Sequence, residues 1–430
     1  MSGMDARRRW RRARALGTLV AALVAVAPAE AAGQWLLVPM DRSQPNHLKA
    51  YGLTYWSIGE GLEAEWLLNY RGGSFLLPDA PEVRREAAFR GVGVEEVDAG
   101  GESEIRATIA DSNMESVPLE KAPKIAIYTP PNTTPWDDAV TMALTYAGID
   151  YETIWDPEVL SDELEEYEWV HLHHEDFTGQ YSKFYLTYAG APWLQEEVAR
   201  NEETALEHGF PHVPALKKAV ARRIREYVEA GGFLFAMCSA TETLELAMAA
   251  AEVDIAAAYS DGSPPDGRAT QRMAWERAMA FEGARVDTAP SVSAFSDIDG
   301  HQVNTMQRKD LGVFTLFGFS AKFDPVPAML TQNHESVLPD FYGLTTSFSK
   351  DRLKPGTIVL AEEGGLAKYI HGSLGEGTWT YFGGHDPEDP EHQIGDPPTD
   401  LALHPNSPGY RLILNNVLFP AAKKKTLKTQ

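Results

Sequence analysis

One cysteine, followed at once by helix-forming residues, raises the question of whether this chain is an enzyme. Cys238 is the only cysteine among the 430 residues, and it follows the apolar run FLFAM and precedes SATETLELA. A cysteine at a tight strand-to-helix turn is presented for reaction, and the helix N-terminus favours its thiolate form. The alternative is that Cys238 is a small buried hydrophobe that ends a core strand.

A histidine late in the chain could act as the base that a thiol nucleophile requires. His385 follows the strand-like stretch TWTYFGG and precedes an acidic loop that contains Asp386 and Glu388. A histidine held by a carboxylate can take the proton of a thiol, and the two glycines before it allow close approach of a substrate. The alternative is a surface histidine in a solvated acidic loop.

The segment HLHHED concentrates further polar side chains. On a strand, His171 and His173 share one face, and together with a carboxylate they could bind zinc. The spacing matches no strong zinc signature, so we favour polar residues lining a wet cleft and expect no cofactor. The alternative is a zinc site that includes His171, His173 and Asp176. The residues assigned to substrate binding are His173, His174, Glu175, Asn132 and Ser239.

The elements around these residues predict an α/β protein with a parallel sheet. Apolar runs such as KIAIYTP, EWVHLHH, FLFAMC and GTWTYFGG alternate with helical segments. Ligands bind at the carboxyl ends of parallel strands. The stretches TPPNTTPWDD, HLHHEDFTGQY, CSATE and GGHDPEDPEH all fall at such ends, and TPWDDAVTMALTYAG is expected to be a helix with Thr134 as N-cap. Backbone N–H groups of the helix after Cys238 would hold an oxyanion.

The chain begins with the three-part pattern of a secretory signal peptide. Six arginines precede a short apolar run that ends in small residues, so residues 1–31 are expected to be removed and the protein exported to the periplasm or beyond. The remainder has 32 basic and 60 acidic residues, a net charge of −28, which disfavours nucleic-acid binding. We expect a small-molecule substrate and no stable membrane span; the oligomeric state is left open.

Two regions follow the signal peptide. Residues 32–120 are predicted to form an N-terminal α/β region that starts as strand, helix and strand, with a linker at 111–123. Residues 121–430 are predicted to form the main domain, with an inserted α+β segment at about 253–350.

Four segments between Lys124 and Phe419 resemble the class I glutamine-amidotransferase-like superfamily: KIAIYTP, REYVEAGGFLFAMCSATETLE, GEGTWTYFGGHDPE and GYRLILNNVLF. The last two resemble its trehalose-utilisation branch most. The resemblance implies a flavodoxin-like parallel sheet with helices on both faces, here with an added N-terminal βαβ region and the inserted segment. It also implies Cys238 as nucleophile, His385 as base and Asp386 or Glu388 as its partner. The chain departs from the family's G-x-C-x-G elbow, since Ala236 and Ala240 replace the glycines.

The segments LLVPMD, HLKAYGLTYW and WLLNYRGGSFLLP are similar to exported bacterial proteins often named asparagine synthetase B. The chain has no SGGxDS pyrophosphate loop and no cysteine at the start of its mature part, so synthetase activity is not expected. The function we expect is cysteine-dependent hydrolysis of amides or other small substrates. The alternatives are a non-catalytic sugar- or peptide-binding protein of the same fold, and a metal-dependent hydrolase that uses HLHHED.

Overall fold

The computed structural model describes residues 35–131, 138–290, 294–301, 312–332, 335–390 and 396–423. The predicted signal peptide lies outside these ranges, as do Asn132 and Thr134. Within the described ranges the chain is a mixed α/β protein with an antiparallel sheet of five strands and a mixed sheet of nine. No helix in these ranges combines the length and the apolar character needed to cross a bilayer.

The smaller sheet is built entirely from the N-terminal region, in the strand order β4-β1-β3-β2-β5. Its strands are β1 (Trp35–Val38), β2 (Ala64–Leu68), β3 (Ser74–Pro78), β4 (Glu95–Val97) and β5 (Glu115–Leu119). All neighbouring strands are antiparallel, and β3 lies between β1 and β2. The prediction of a linker at 111–123 was wrong, because this segment forms part of the sheet. It contains β5, an edge strand, where a proline such as Pro118 is tolerated.

Helices cover both faces of this sheet. They are α1 (His47–Gly59), α2 (Pro81–Arg90) and α3 (Ala99–Asp111). Leu37, Leu67 and Leu76 point from the strands to one side, where Ile105 and Ile109 of α3 meet them. The other side packs on α1 in a core that also contains residues of the large sheet.

The large sheet has the strand order β11-β10-β12-β13-β14-β9-β8-β6-β7. Its strands are β6 (Ile125–Tyr128), β7 (Glu152–Ile154), β8 (Trp169–Leu172), β9 (Phe233–Met237), β10 (Val313–Leu316), β11 (Val337–Pro339), β12 (Ile358–Glu363), β13 (Leu366–Leu374) and β14 (Gly377–Phe382). Strands β14, β9, β8, β6 and β7 are parallel, as expected.

The remaining four strands of the large sheet are antiparallel, which corrects the prediction of a wholly parallel sheet. Two-residue turns force this direction at two places. Gly364 and Gly365, both with positive φ, join β12 to β13, and Gly375 with φ +58° begins the turn from β13 to β14. Strands β10 and β11 come from the predicted insertion, which therefore extends the sheet.

Helices pack on both faces of the parallel strands. The helices of this part of the chain are α4 (Ala139–Ala147), α5 (Asp156–Leu160), α6 (Tyr185–Tyr188), α7 (Pro192–Glu207), α8 (Val213–Glu229), α9 (Ala240–Ala249), α10 (Ala258–Asp261), α11 (Ala269–Arg272), α12 (Pro325–Leu330) and α13 (Pro408–Leu418). The side chains of β9 alternate: Phe233 and Phe235 join the core with α4 and α13, whereas Leu234 and Ala236 join the core with α8 and α9.

A buried ion pair ties helix α8 to the sheet. The Lys217 ammonium donates to both oxygens of Asp156, over 3.0 and 2.8 Å, and to the hydroxyl of Tyr128 at the end of β6. The Tyr128 hydroxyl also donates to Asp156. The side chains of Lys217 and Asp156 are 5% and 0% exposed, so removing one charge would leave the other buried and uncompensated.

We expect Lys217→Met to lower the free energy of unfolding by about 3–5 kcal/mol, because the Asp156 carboxylate loses its counter-charge in a low-dielectric site. Adding Asp156→Asn should restore part of that loss. Urea unfolding of both variants measures the difference. A double variant that is no more stable than the single one would contradict this account.

Candidate functional site

The carboxyl ends of the parallel strands bring the predicted residues to one edge of the sheet. Leu172 at the end of β8 pairs with Ala236 of β9, and Met237 at the end of β9 pairs with Phe382 at the end of β14. His173, Cys238 and His385 follow these strand ends within three residues. The register of the sheet therefore positions three side chains that lie far apart in the sequence.

Cys238 forms a strained elbow between β9 and α9. Its φ is +50°, in the left-handed region that non-glycine residues rarely adopt. Two neighbouring segments of the chain hold the turn. The Cys238 N–H donates to the carbonyl of Gly384, and the Ala240 N–H donates to the carbonyl of His173. Such a conformation costs of the order of 1–3 kcal/mol and persists where the surroundings enforce it, often at functional sites.

The sulfur of Cys238 is covered by a segment of the insertion. Cys238 is only 1% exposed, and the Leu344 N–H donates to its sulfur over 3.4 Å. A Cβ atom built on Gly343 would lie 3.1 Å from that sulfur and 3.0 Å from the backbone nitrogen of His385. Glycine at position 343 thus allows this segment to pack directly against both candidate catalytic residues.

Three histidine rings meet beside the elbow. The ring centroid of His385 lies 4.5 Å from that of His173 and 6.0 Å from that of His174, and the latter pair is stacked. One nitrogen from each of the three rings lies within 4.8 Å of the others. His385 and His173 are buried, whereas His174 is half-buried.

A carboxylate that the sequence analysis did not single out completes this cluster. Asp138 lies with one oxygen 3.3 Å from Nε2 of His171 and the other 3.4 Å from Nδ1 of His173. Burial raises the pKa of Asp138, but the charges of His171 and His173 lower that pKa well below its usual value. Asp138 is also the N-cap of α4 and accepts from the N–H groups of Val140 and Thr141. The sequence does indicate the N-cap role, because Asp138 is an N-cap residue type directly before the helical pattern.

The predicted carboxylate partners of His385 have other partners. Asp386 accepts hydrogen bonds from the Tyr410 hydroxyl, the Thr399 hydroxyl and the Glu388 N–H. Glu388 lies 2.9 Å from Nδ1 of His404. These bonds tie the loop after β14 to helix α13, and the carboxylate that lies beside His171 and His173 is Asp138.

Asp176 is committed to its own loop and is not beside His171, which corrects the predicted zinc set. One of its oxygens accepts from the Thr178 N–H and hydroxyl, and the other accepts from the N–H groups of Gln180 and Ser182. The loop needs this support because Tyr181, Ser182 and Lys183 are all left-handed, with φ of 54°, 52° and 58°.

One of the residues assigned to substrate binding, Glu175, supports the elbow through hydrogen bonds. The Glu175 carboxylate accepts from the His173 N–H over 3.0 Å, and its carbonyl accepts from the Thr243 hydroxyl of α9. Ser239 is 1% exposed, and its hydroxyl has no hydrogen-bond partner among the described residues. Asn132 lies outside the described residues.

Three of the predicted oxyanion donors at the start of α9 are already engaged. The Ala240 N–H donates to His173, the Thr241 N–H donates to the Cys238 carbonyl, and the Glu242 N–H donates to the Ser239 carbonyl. The prediction was wrong for these three groups, because the left-handed turn folds the amides back into the chain. The amide directed at the sulfur is that of Leu344.

A buried glutamate on the first turn of α9 also joins the covering segment to the elbow. Glu242 accepts from the Ser296 hydroxyl over 2.6 Å and from the Thr345 hydroxyl over 3.1 Å. Burial raises the pKa of Glu242 from 4.5 to about 7, although these hydrogen bonds and the charge of Lys183 oppose the rise. This group therefore titrates near neutral pH.

No protein-family model and no curated protein matches the chain. Among solved structures, cytoplasmic protein STM1381 of Salmonella typhimurium LT2 is similar over 70% of this chain and 100% of its own, with 12% identity and a TM-score of 0.35. Cytoplasmic protein STM3548 of Salmonella typhimurium covers the same shares, with 11% identity and a TM-score of 0.33.

The strain at the elbow predicts an inverted order of stability at position 238. We expect Cys238→Gly to be more stable than Cys238→Ala by about 1 kcal/mol, because glycine adopts positive φ without penalty. Ala236→Gly, two residues earlier on β9, is the control. It should destabilise the protein, as glycine usually does within a strand. Urea unfolding measures the stability of all three variants. A Cys238→Ala variant that is as stable as Cys238→Gly, or more stable, would refute the strain at this position.

Glu242 predicts a pH-dependent component of stability. The folded protein retains a proton that the unfolded chain releases, so the free energy of unfolding should fall as pH rises from 4.5 to about 7. Glu242→Gln stays neutral and should remove up to about 3 kcal/mol of that fall. Unfolding at about pH 5 and about pH 8 measures it, with exposed Glu376→Gln as control. Equal pH dependence in wild type and Glu242→Gln would contradict the assignment.

Proposed function

We propose that the protein is a cysteine-dependent hydrolase of amide or ester bonds in small molecules, with Cys238 as nucleophile and His385 as general base. The observation that carries this proposal is the strained elbow. The only cysteine of the chain has φ +50° at the end of a central parallel strand, beside the strand end that presents His385. A buried cysteine that served only packing would not require this conformation.

The order of the parallel strands supports a flavodoxin-like core of the glutamine-amidotransferase-like type. Numbered along the chain from β6, the strands β7-β6-β8-β9-β14 have the order 2-1-3-4-5, which is the flavodoxin order. Cys238 then follows the fourth of these strands and His385 the fifth. The N-terminal pattern of residues 1–31 supports the further proposal that the enzyme acts outside the cytoplasm.

In the proposed reaction His385 takes the proton of the Cys238 thiol, and the sulfur attacks the carbonyl carbon of the substrate. A C–S bond forms, and collapse of the tetrahedral intermediate breaks the C–N or C–O bond. The imidazolium of His385 gives its proton to the departing amine or alcohol. Water, deprotonated by His385, then attacks the thioester, which releases a carboxylic acid and regenerates the thiol.

The neighbours of these two residues have distinct supporting roles in the proposal. The Leu344 N–H hydrogen-bonds the sulfur, which favours the charged form of the nucleophile. The His173 ring packs edge-on against the His385 ring and limits its rotation. Because Cys238 is 1% exposed, the Gly343–Leu344 segment has to move before a substrate reaches the sulfur.

The ester probe p-nitrophenyl acetate tests the proposal. We expect wild-type protein to release nitrophenol and to carry an acetyl group on Cys238 that mass spectrometry locates. Cys238→Ala should abolish both signals, and His385→Ala should slow the acetylation about 10²–10⁴-fold, the usual contribution of a general base. His404→Ala is the matched control, because His404 is 37% exposed and pairs with Glu388.

Turnover that survives in Cys238→Ala, or a His385→Ala variant as fast as wild type, would overturn the proposal. A wild-type protein that neither turns over the ester nor becomes acetylated would also overturn it. That last outcome would favour the second candidate, a non-catalytic binding protein for a sugar or peptide.

A further inference from the structure

A hydrogen bond fixes the tautomer of His171 in the buried cluster. Nδ1 of His171 lies 2.9 Å from the carbonyl oxygen of Phe235. A carbonyl oxygen can only accept, so Nδ1 carries a hydrogen. In a neutral ring the lone pair is then on Nε2, which lies 3.3 Å from an oxygen of Asp138. Two electron-rich atoms face each other where the side chains are 0% and 3% exposed, so a proton or a metal ion has to lie between them.

The distances favour a metal ion over a proton. A charged imidazolium donating to a carboxylate closes to about 2.7–2.9 Å. Oδ2 of Asp138 lies 3.3 Å from Nε2 of His171, and Oδ1 lies 3.4 Å from Nδ1 of His173. Nε2 of His171 and both nitrogens of His173 have no hydrogen-bond partner in the described chain. A tetrahedral zinc site with bonds of about 2.0–2.1 Å places neighbouring ligand atoms about 3.3–3.4 Å apart, which is the separation of Oδ2 and Nε2 here.

The surroundings orient these three side chains as they would be oriented in a metal site. His171 donates its other ring N–H to a backbone carbonyl, which is the usual partner of a metal-binding histidine. Asp138 accepts the Val140 and Thr141 N–H groups on Oδ1, which leaves Oδ2 directed at His171. One ligand atom from each residue lies within 4.8 Å of the other two.

We infer that Asp138, His171 and His173 form a binding site for a divalent transition-metal ion, with Zn²⁺ as the ion that this ligand set suits best. Two histidines and one carboxylate are a common zinc set, and they leave a fourth position for water or a substrate oxygen. Asp138 takes the place that the sequence analysis gave to Asp176. The site lies between the N-terminus of α4 and the end of β8, and the inference does not depend on the chemistry of Cys238.

Zinc titration of metal-free full-length protein tests this inference. After treatment with a chelator, the wild type should bind one equivalent of Zn²⁺ by calorimetry and show a rise in its thermal midpoint. Cys238→Ala should bind equally well, which separates this site from the proposed hydrolase chemistry. Co²⁺ should bind with the absorption of a nitrogen–oxygen site and without a thiolate charge-transfer band.

Two conservative variants remove the metal ligands and keep the local fold. Asp138→Asn retains an N-cap residue for α4, and His171→Asn retains a donor to the Phe235 carbonyl. Each should weaken Zn²⁺ binding more than about 100-fold, beyond the usual effect of losing an outer-shell group. Exposed His208→Asn should not change it.

Circular dichroism of the metal-free variants shows whether they fold. Folded variants that bind Zn²⁺ as tightly as wild type would overturn the inference. A wild type that binds no Zn²⁺ would overturn it as well, and would mean that a protonated histidine pairs with Asp138.

Discussion

The parallel pairing of β9 with both β8 and β14 is the constraint on which the rest of the site depends. Because the three strands run in the same direction and in register, the residues that follow them, His173, Cys238 and His385, arrive at one edge. The same alignment gives the elbow its two anchors, the carbonyls of His173 and Gly384. The apolar cores on both faces of β9 stabilise this pairing, and with it the strained conformation of Cys238.

Much of the fold could be predicted from the sequence because its signals are local. Apolar runs marked the parallel strands, and glycine ended helices such as α4 at Gly148. What failed depended on contacts distant in the sequence. The segment Glu115–Leu119 is polar enough to look like a linker, yet pairing with β2 makes it a strand. Strand β13 was missed because its histidine, lysine and glycine break the alternation that the neighbouring strands show.

For the candidate site too, the sequence indicated some residues, and others became evident only from the structure. Cys238 and His385 were predictable because each directly follows a strand, and position after a strand is a local property. Asp138 was not singled out, since nothing in its own segment indicates that His171 and His173 lie opposite. The partners of Asp386, including Tyr410, follow from the packing of α13. The cover over the sulfur comes from an insertion whose sequence gave no indication of its place.

The rate at which iodoacetamide alkylates Cys238 in the folded protein tests the central claim most directly, because the chain has no other thiol. We predict that the folded protein is modified near neutral pH and that modification slows markedly in His385→Ala. A folded protein whose thiol stays unmodified while the unfolded chain reacts readily, with no effect of His385→Ala, would contradict it. Cys238 would then be a packed core residue, and the strain at the elbow would have no catalytic purpose.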